Sequence, residues 1–68
     1  MNEYLIEYGV YVNCHISHVE ERKISAVSYE EAKGVAEKIG DAMERELSPS
    51  YPGDDVWVNV EDIIEAHE

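Results

Sequence analysis

Ser28-Tyr29-Glu30-Glu31-Ala32-Lys33-Gly34-Val35-Ala36-Glu37-Lys38-Ile39-Gly40-Asp41-Ala42-Met43-Glu44-Arg45-Glu46-Leu47 is the most informative run in this chain. Ser28 stands where a helix N-cap belongs and Glu31 occupies the third helical position, the reciprocal box that satisfies two orphan backbone donors. Ala32, Val35, Ala36, Ile39, Met43 and Leu47 then recur at spacings of three and four, a continuous apolar stripe. The spacing predicts a helix over 29–47 with one face buried. Gly40 lies beside the stripe, where a missing side chain allows close approach to a sheet, whereas Gly34 has no packing reason and costs about 1 kcal/mol. Pro49 and Pro52 close the helix, and 48–55 reads as a loop.

Both flanks of this helix carry strand patterns. Upstream, Tyr4, Ile6, Tyr8, Val10 and Val12 alternate with Leu5, Glu7, Gly9, Tyr11 and Asn13, predicting a strand over 3–13. Residues 13–18 are polar and read as a loop. Residues 19–27 read as a second strand with Ile24 and Ala26 facing inward. Downstream, Val56-Trp57-Val58-Asn59-Val60 predicts a third strand over 56–60, and 61–68 is expected to form a short C-terminal turn or to prolong that strand, with the turn preferred. The order β-β-α-β places the third strand antiparallel beside the first, giving an α+β two-layer sandwich with sheet order 2-1-3 and one helix on one face. The second sheet face is then left open, with Leu5, Tyr11, Val27 and Trp57 among Glu7, Gly9, Ser25 and Asn59. An open face bearing Trp and Tyr is a frequent protein contact surface. Scattered apolar residues on a wet antiparallel sheet are the competing reading.

Length and charge bound the rest. Sixty-eight residues with sixteen acids against five bases make one small domain over 1–68 of formal charge −11. The 44% hydrophobic content is that of a folding chain, not an acidic disordered tail. Such a charge repels nucleic acid and anionic membranes and favours basic protein partners, particularly phosphate-binding sites. The excess is uneven: residues 52–68 hold six acids and no base. Asp54, Asp55, Glu61 and Asp62, with Glu65 and Glu68, bracket Trp57, which makes an acidic, aromatic edge. Glu30, Glu37, Asp41 and Glu44 are expected to form a second acidic row on the helix arc opposite the apolar stripe. Lys33, Lys38 and Arg45 flank that row at helical spacings, as on an ordinary solvated helix.

Other chemistry finds little support in the residues. The single Cys14 forms no internal disulfide and suits a reducing cytoplasm. With no basic leader and no apolar run of membrane length, neither export by a signal peptide nor insertion is expected. Cys14, His15 and His18, with His67 as a fourth donor, lack the paired spacing of a structural zinc site, so no metal and no cofactor is expected. No P-loop, dinucleotide-binding glycine pattern or nucleophile elbow occurs, and the adjacent carboxylates Glu30/Glu31 and Asp54/Asp55 are expected to be exposed, so no enzyme activity is expected.

The run from Ile24 to Ala32, in which a strand enters a capped helix through Ser28-Tyr29-Glu30-Glu31-Ala32, resembles a junction found in small proteins of phages and mobile elements. With its length and charge, the chain is similar in kind to phage-encoded inhibitors of host defence, including anti-CRISPR proteins. The resemblance covers about a dozen residues and carries over no functional residue. It implies stoichiometric, non-enzymatic inhibition: an acidic protein occupying the basic nucleic-acid-binding surface of a bacterial effector in the host cytoplasm. On this reading Asp54, Asp55, Trp57, Glu61, Asp62 and Tyr11 make the contact, with Glu30, Glu37, Asp41 and Glu44 in support. The alternative function is a structural or assembly module that homodimerises, or pairs with a partner's sheet, through its aromatic face.

Overall fold

The computed structural model describes residues 1–66. Strand β1 (Asn2–Val12) and strand β2 (His15–Ala26) form a hairpin, helix α1 (Tyr29–Leu47) crosses back, a single 3-10 turn covers Ser48–Ser50, and strand β3 (Val56–Ala66) returns along β1. The sheet is antiparallel with order β2-β1-β3, and α1 packs on one face: the expected α+β architecture.

Two local features depart from the expected boundaries. The hairpin turn is Asn13-Cys14, not a longer polar loop, and His15 to His18 belong to β2. Both turn residues have positive φ, 50° at Asn13 and 68° at Cys14, as a two-residue turn matched to strand twist demands. Asn tolerates that region, and here it is held there. Its N–H donates to the Asp55 carbonyl at 2.8 Å, its amide donates to Asp54 Oδ1 at 2.8 Å, and its side-chain oxygen accepts from the Asp55 N–H at 2.9 Å. The loop that supplies Asp54 and Asp55 turns at Tyr51-Pro52-Gly53-Asp54, with Gly53 at φ 84° and the Asp54 N–H donating to the Tyr51 carbonyl at 3.0 Å. Second, β3 does not stop at Val60 for a turn but runs on to Ala66; His67 and Glu68 lie outside the described residues.

A bulge explains how β3 continues. Tyr8 pairs with Val60, and the next partner of β1, Glu7, pairs with Asp62, so Glu61 is an extra residue. It shifts the alternation by one: Val56, Val58, Val60 and Ile63 face the helix, and Asp62 and Ile64 face away. A second irregularity, in β2, leaves Ser17 unmatched between Val10–His18 and Tyr11–Ile16.

The core consists of Tyr4, Ile6, Tyr8 and Val10 from β1, Ala26 from β2, Ala32, Ala36 and Met43 from α1, and Val56 from β3. Ile24, Ile39, Val58, Val60 and Ile63 pack around the cluster of these residues as partly buried neighbours. Beyond Ile24, β2 turns polar on this side as well: Arg22, Glu20, His18 and His15 oppose Ile6, Tyr8, Val10 and Val12, and the helix lies closest to β3. Among the described residues, helix and sheet are joined at one point by more than packing. Tyr8, fully buried, donates its hydroxyl to the Ala36 carbonyl at 2.6 Å, and burial holds its phenol above the ordinary range. Gly40 faces the same ring. A Cβ there would stand 3.3 Å from Tyr8 Cε1, so its absence sets the spacing between layers.

At the helix start, Ser28 Oγ accepts from the Glu31 N–H at 3.2 Å, which is the forward half of the expected capping box. The bond from the Glu31 carboxylate back to Ser28 is not among those formed by the described residues. Gly34 meets open space, and a Cβ placed on it would have no neighbour within 4 Å. Gly34→Ala is therefore expected to stabilise the protein by about 1 kcal/mol. Urea denaturation checks this by a higher midpoint at unchanged slope.

Candidate functional site

Tyr11 of β1 and Trp57 of β3 sit directly opposite each other on the sheet face that the helix leaves open. Their rings stack with centroids 4.3 Å apart and planes 11° from parallel, a cross-strand pair worth about 0.5–1.5 kcal/mol beyond its area. The Tyr11 hydroxyl donates to Glu61 Oε1 at 2.5 Å, and Asn59 Nδ2 donates to Glu61 Oε2 at 3.3 Å. The bulge makes this possible by turning Glu61 onto the open face together with Asp62. Gly9 completes the arrangement, because a Cβ at that position would collide with the Glu61 carboxylate and lie 2.9 Å from the Tyr11 ring. The glycine is thus the floor of a hollow that holds an aromatic edge and a carboxylate side by side.

Accepting the Tyr11 hydrogen bond, the Glu61 carboxylate pushes that phenol above its ordinary range, with partial desolvation and the negative charge itself acting in the same sense. The bond stabilises the protonated phenol, so its contribution is complete below the unfolded value of about 10 and is lost as pH rises through the higher folded value. In an alkaline titration followed by tyrosinate absorbance, Tyr8 and Tyr11 are expected to ionise above the ordinary phenol value of about 10. Glu61→Ala should move one of these two phenols to lower pH; an unchanged profile would show that the bond does not form in solution.

The strand register adds carboxylates that no sequence spacing joins. Glu21 of β2, Glu7 of β1 and Asp62 of β3 are paired across all three strands, forming a transverse acidic row next to Glu61. Like charges set directly opposite one another are unfavourable. Among the described residues the ion pairs are Arg22–Glu20 at 3.7 Å and Lys23–Glu3 at 3.6 Å, and neither neutralises this row. Around it the open face exposes Ile16, Val19, Trp57 and Ile64. Val27 does not belong to the face as expected: it follows the end of β2 and is exposed beyond the sheet.

The remaining anticipated residues fall into separate places. Asp54 and Asp55 lie beside the hairpin tip, tied to Asn13, at the Trp57 end of the sheet. Glu37 and Asp41 are exposed on the helix. With Lys33 they face β3 across a groove of about 390 Å³ whose other wall includes Val60, Glu61, Asp62 and Ile63. Glu44 is half-buried and shares a shallower hollow with Asp41 and Val56, while Glu30, in the first helical turn, lines neither. The structure therefore brings Tyr11, Trp57 and Glu61 into contact, sets Asp62 beside them, and leaves Glu30 apart.

Sequence spacing did not single out Glu7, Glu21, Ile16, Val19 or Ile64 as site residues. The cross-strand register that aligns them, including both bulges, has no local signature. Cys14, His15 and His18 follow one another from the turn into β2, and among the described residues no three His, Cys, Asp or Glu side chains come together as a metal site. No helix among the described residues is long and apolar enough to cross a membrane. No protein-family model, curated protein or solved structure matches the chain.

Proposed function

We propose that the protein is a non-enzymatic binding protein that lays its open sheet face on a basic, phosphate-binding surface of a partner protein. The observation that carries this reading is the Tyr11–Trp57 stack with Glu61 hydrogen-bonded to its edge, next to a carboxylate row that no cation neutralises among the described residues. Rigid aromatics supply contact area at small entropic cost, and uncompensated carboxylates supply attraction to Arg and Lys and repulsion of nucleic acid. The mechanism is competition: the acids occupy positions that phosphates otherwise fill, and the rings exclude water. A nucleic-acid-binding effector of a bacterial host, blocked in its cytoplasm in the manner of phage-encoded inhibitors, is the partner this chemistry suits.

The test is a binding titration against such an effector with DNA as competitor. Affinity is expected to fall steeply with added salt and to drop about a hundredfold when Asp54, Asp55, Glu61 and Asp62 are reversed to Lys. Binding indifferent to both salt and charge reversal would end the mimicry reading.

The exposed Ile16, Val19, Trp57 and Ile64 on one face favour a second reading, an assembly module that self-associates through that face. Sedimentation at high micromolar concentration separates the two. A monomer rules out assembly, and a dimer dissociated by Trp57→Ala supports it.

A further inference from the structure

The partner chemistry proposed above has a second place to act, on the side of the molecule where β3 ends the sheet. β3 pairs with β1 along one edge, and its other edge has no neighbouring strand among the described residues. That edge borders the groove between β3 and α1. Val60 and Ile63, both half-buried against the core, form an apolar floor. Glu37 and Asp41 from the helix and Glu61 and Asp62 from the strand border the groove with one ammonium, Lys33; the Glu61 carboxylate itself turns to the open face, where it accepts from Tyr11 and Asn59, and Asp62 Oδ1 accepts from the Ile63 N–H at 2.9 Å. None of these five groups makes an ion pair within 4 Å among the described residues.

An unpaired strand edge offers a ladder of backbone donors and acceptors, and alternate side chains of an added strand meet whatever lies on each side of it. Here one side presents the apolar floor with Glu37 and Asp41, and the other passes Glu61 and Asp62. Both sides are acidic. We infer that the groove receives an extended, Lys- or Arg-rich segment of a partner protein, which adds to the sheet as a fourth strand beside β3. A second copy of this chain is a poor occupant, since it brings a charge of −11 to an acidic groove. The inference rests on the reading of a basic partner and shares Glu61 and Asp62 with the open face, whereas Glu37 and Asp41 belong to the groove alone.

A decapeptide of alternating Lys and Val is the probe, titrated into the isotope-labelled full chain and followed by amide shifts and hydrogen exchange. Strand addition is expected to shift and protect amides within 58–63, and to be lost when the peptide is N-methylated at every second residue, which removes ladder donors without changing its charge. Glu37→Lys combined with Asp41→Lys, both exposed helix positions, should weaken binding about tenfold or more. A decapeptide of alternating Glu and Val should not bind. Equal binding of the N-methylated peptide, shifts centred on Gly9, Tyr11 and Trp57, or no binding of the Lys peptide would each overturn the groove inference. The basic-partner reading would survive all three, because its own test uses a folded effector and the open-face charges.

Discussion

Tyr8→Ala is expected to leave the chain unfolded, or nearly so, at room temperature. The side chain is fully buried at the middle of β1, under the helix, and its hydroxyl is bonded to the Ala36 carbonyl. Removing a buried aromatic ring costs about 3–5 kcal/mol through lost transfer energy and the cavity left behind, and the lost hydrogen bond adds about 1 kcal/mol. A core of this size provides only about 3–5 kcal/mol of net stability. Far-ultraviolet circular dichroism should therefore lose its helical signal. Tyr8→Phe, which keeps the ring, should fold and show a urea midpoint lowered by an amount corresponding to about 1 kcal/mol. If Tyr8→Ala melted cooperatively near the wild-type temperature, the helix would be held by contacts other than this one.

The second large effect is expected from the opposite wall of the same contact. Gly40→Val places a branched side chain where even a bare Cβ would stand 3.3 Å from the Tyr8 ring and 3.9 Å from Val58 Cγ1. Either α1 lifts, breaking the Tyr8 to Ala36 bond, or Tyr8 leaves its rotamer. Overpacking of this kind costs about 1–3 kcal/mol, a large share of the total. The two sites share one space, so their effects should not add. The double variant Tyr8→Ala/Gly40→Val should be more stable than Tyr8→Ala alone, because the valine fills part of the vacated volume. A simple sum of two losses would show that the ring and the glycine do not set the spacing of the layers together.

The helix and the strand order were legible in the residues because each rests on a strong local pattern. Ser28 and Glu31 mark a cap, the stripe from Ala32 to Leu47 has helical spacing, and the five alternate apolar residues of β1 leave little choice for the central strand. What could not be read was any feature in which a strand breaks its own period. After Val60, both Glu61 and Asp62 face outward, so Ile63 and Ile64 fit no strand alternation until the bulge is known. The start of β2 was hidden for another reason. An edge strand exposed over most of its length has no buried row to betray it, and Cys14 stands where glycine would have announced the turn.

The candidate site divides along the same line. That Tyr11 and Trp57 share a face followed from alternation within two strongly patterned strands. That Glu61 meets the Tyr11 hydroxyl, and that Glu7, Glu21 and Asp62 align, depends on pairing between strands, which no single segment encodes. The acidic residues of the helix are legible as a row from their spacing, but which of them border β3 depends on how α1 seats on the sheet.

Among the described residues the sheet has an unpaired strand on each side, the geometry that edge-to-edge association of copies requires. Each molecule offers β2 on one flank and β3 on the other, and mutual repulsion among copies opposes the joining of these flanks side to side, together with the bulge in each strand. Near the isoelectric point of about 4.4 that repulsion vanishes while the edges remain. Acidity is in this sense a colloidal barrier: the same carboxylates that attract a basic partner keep the protein from polymerising on itself, and mild acid would turn the barrier off.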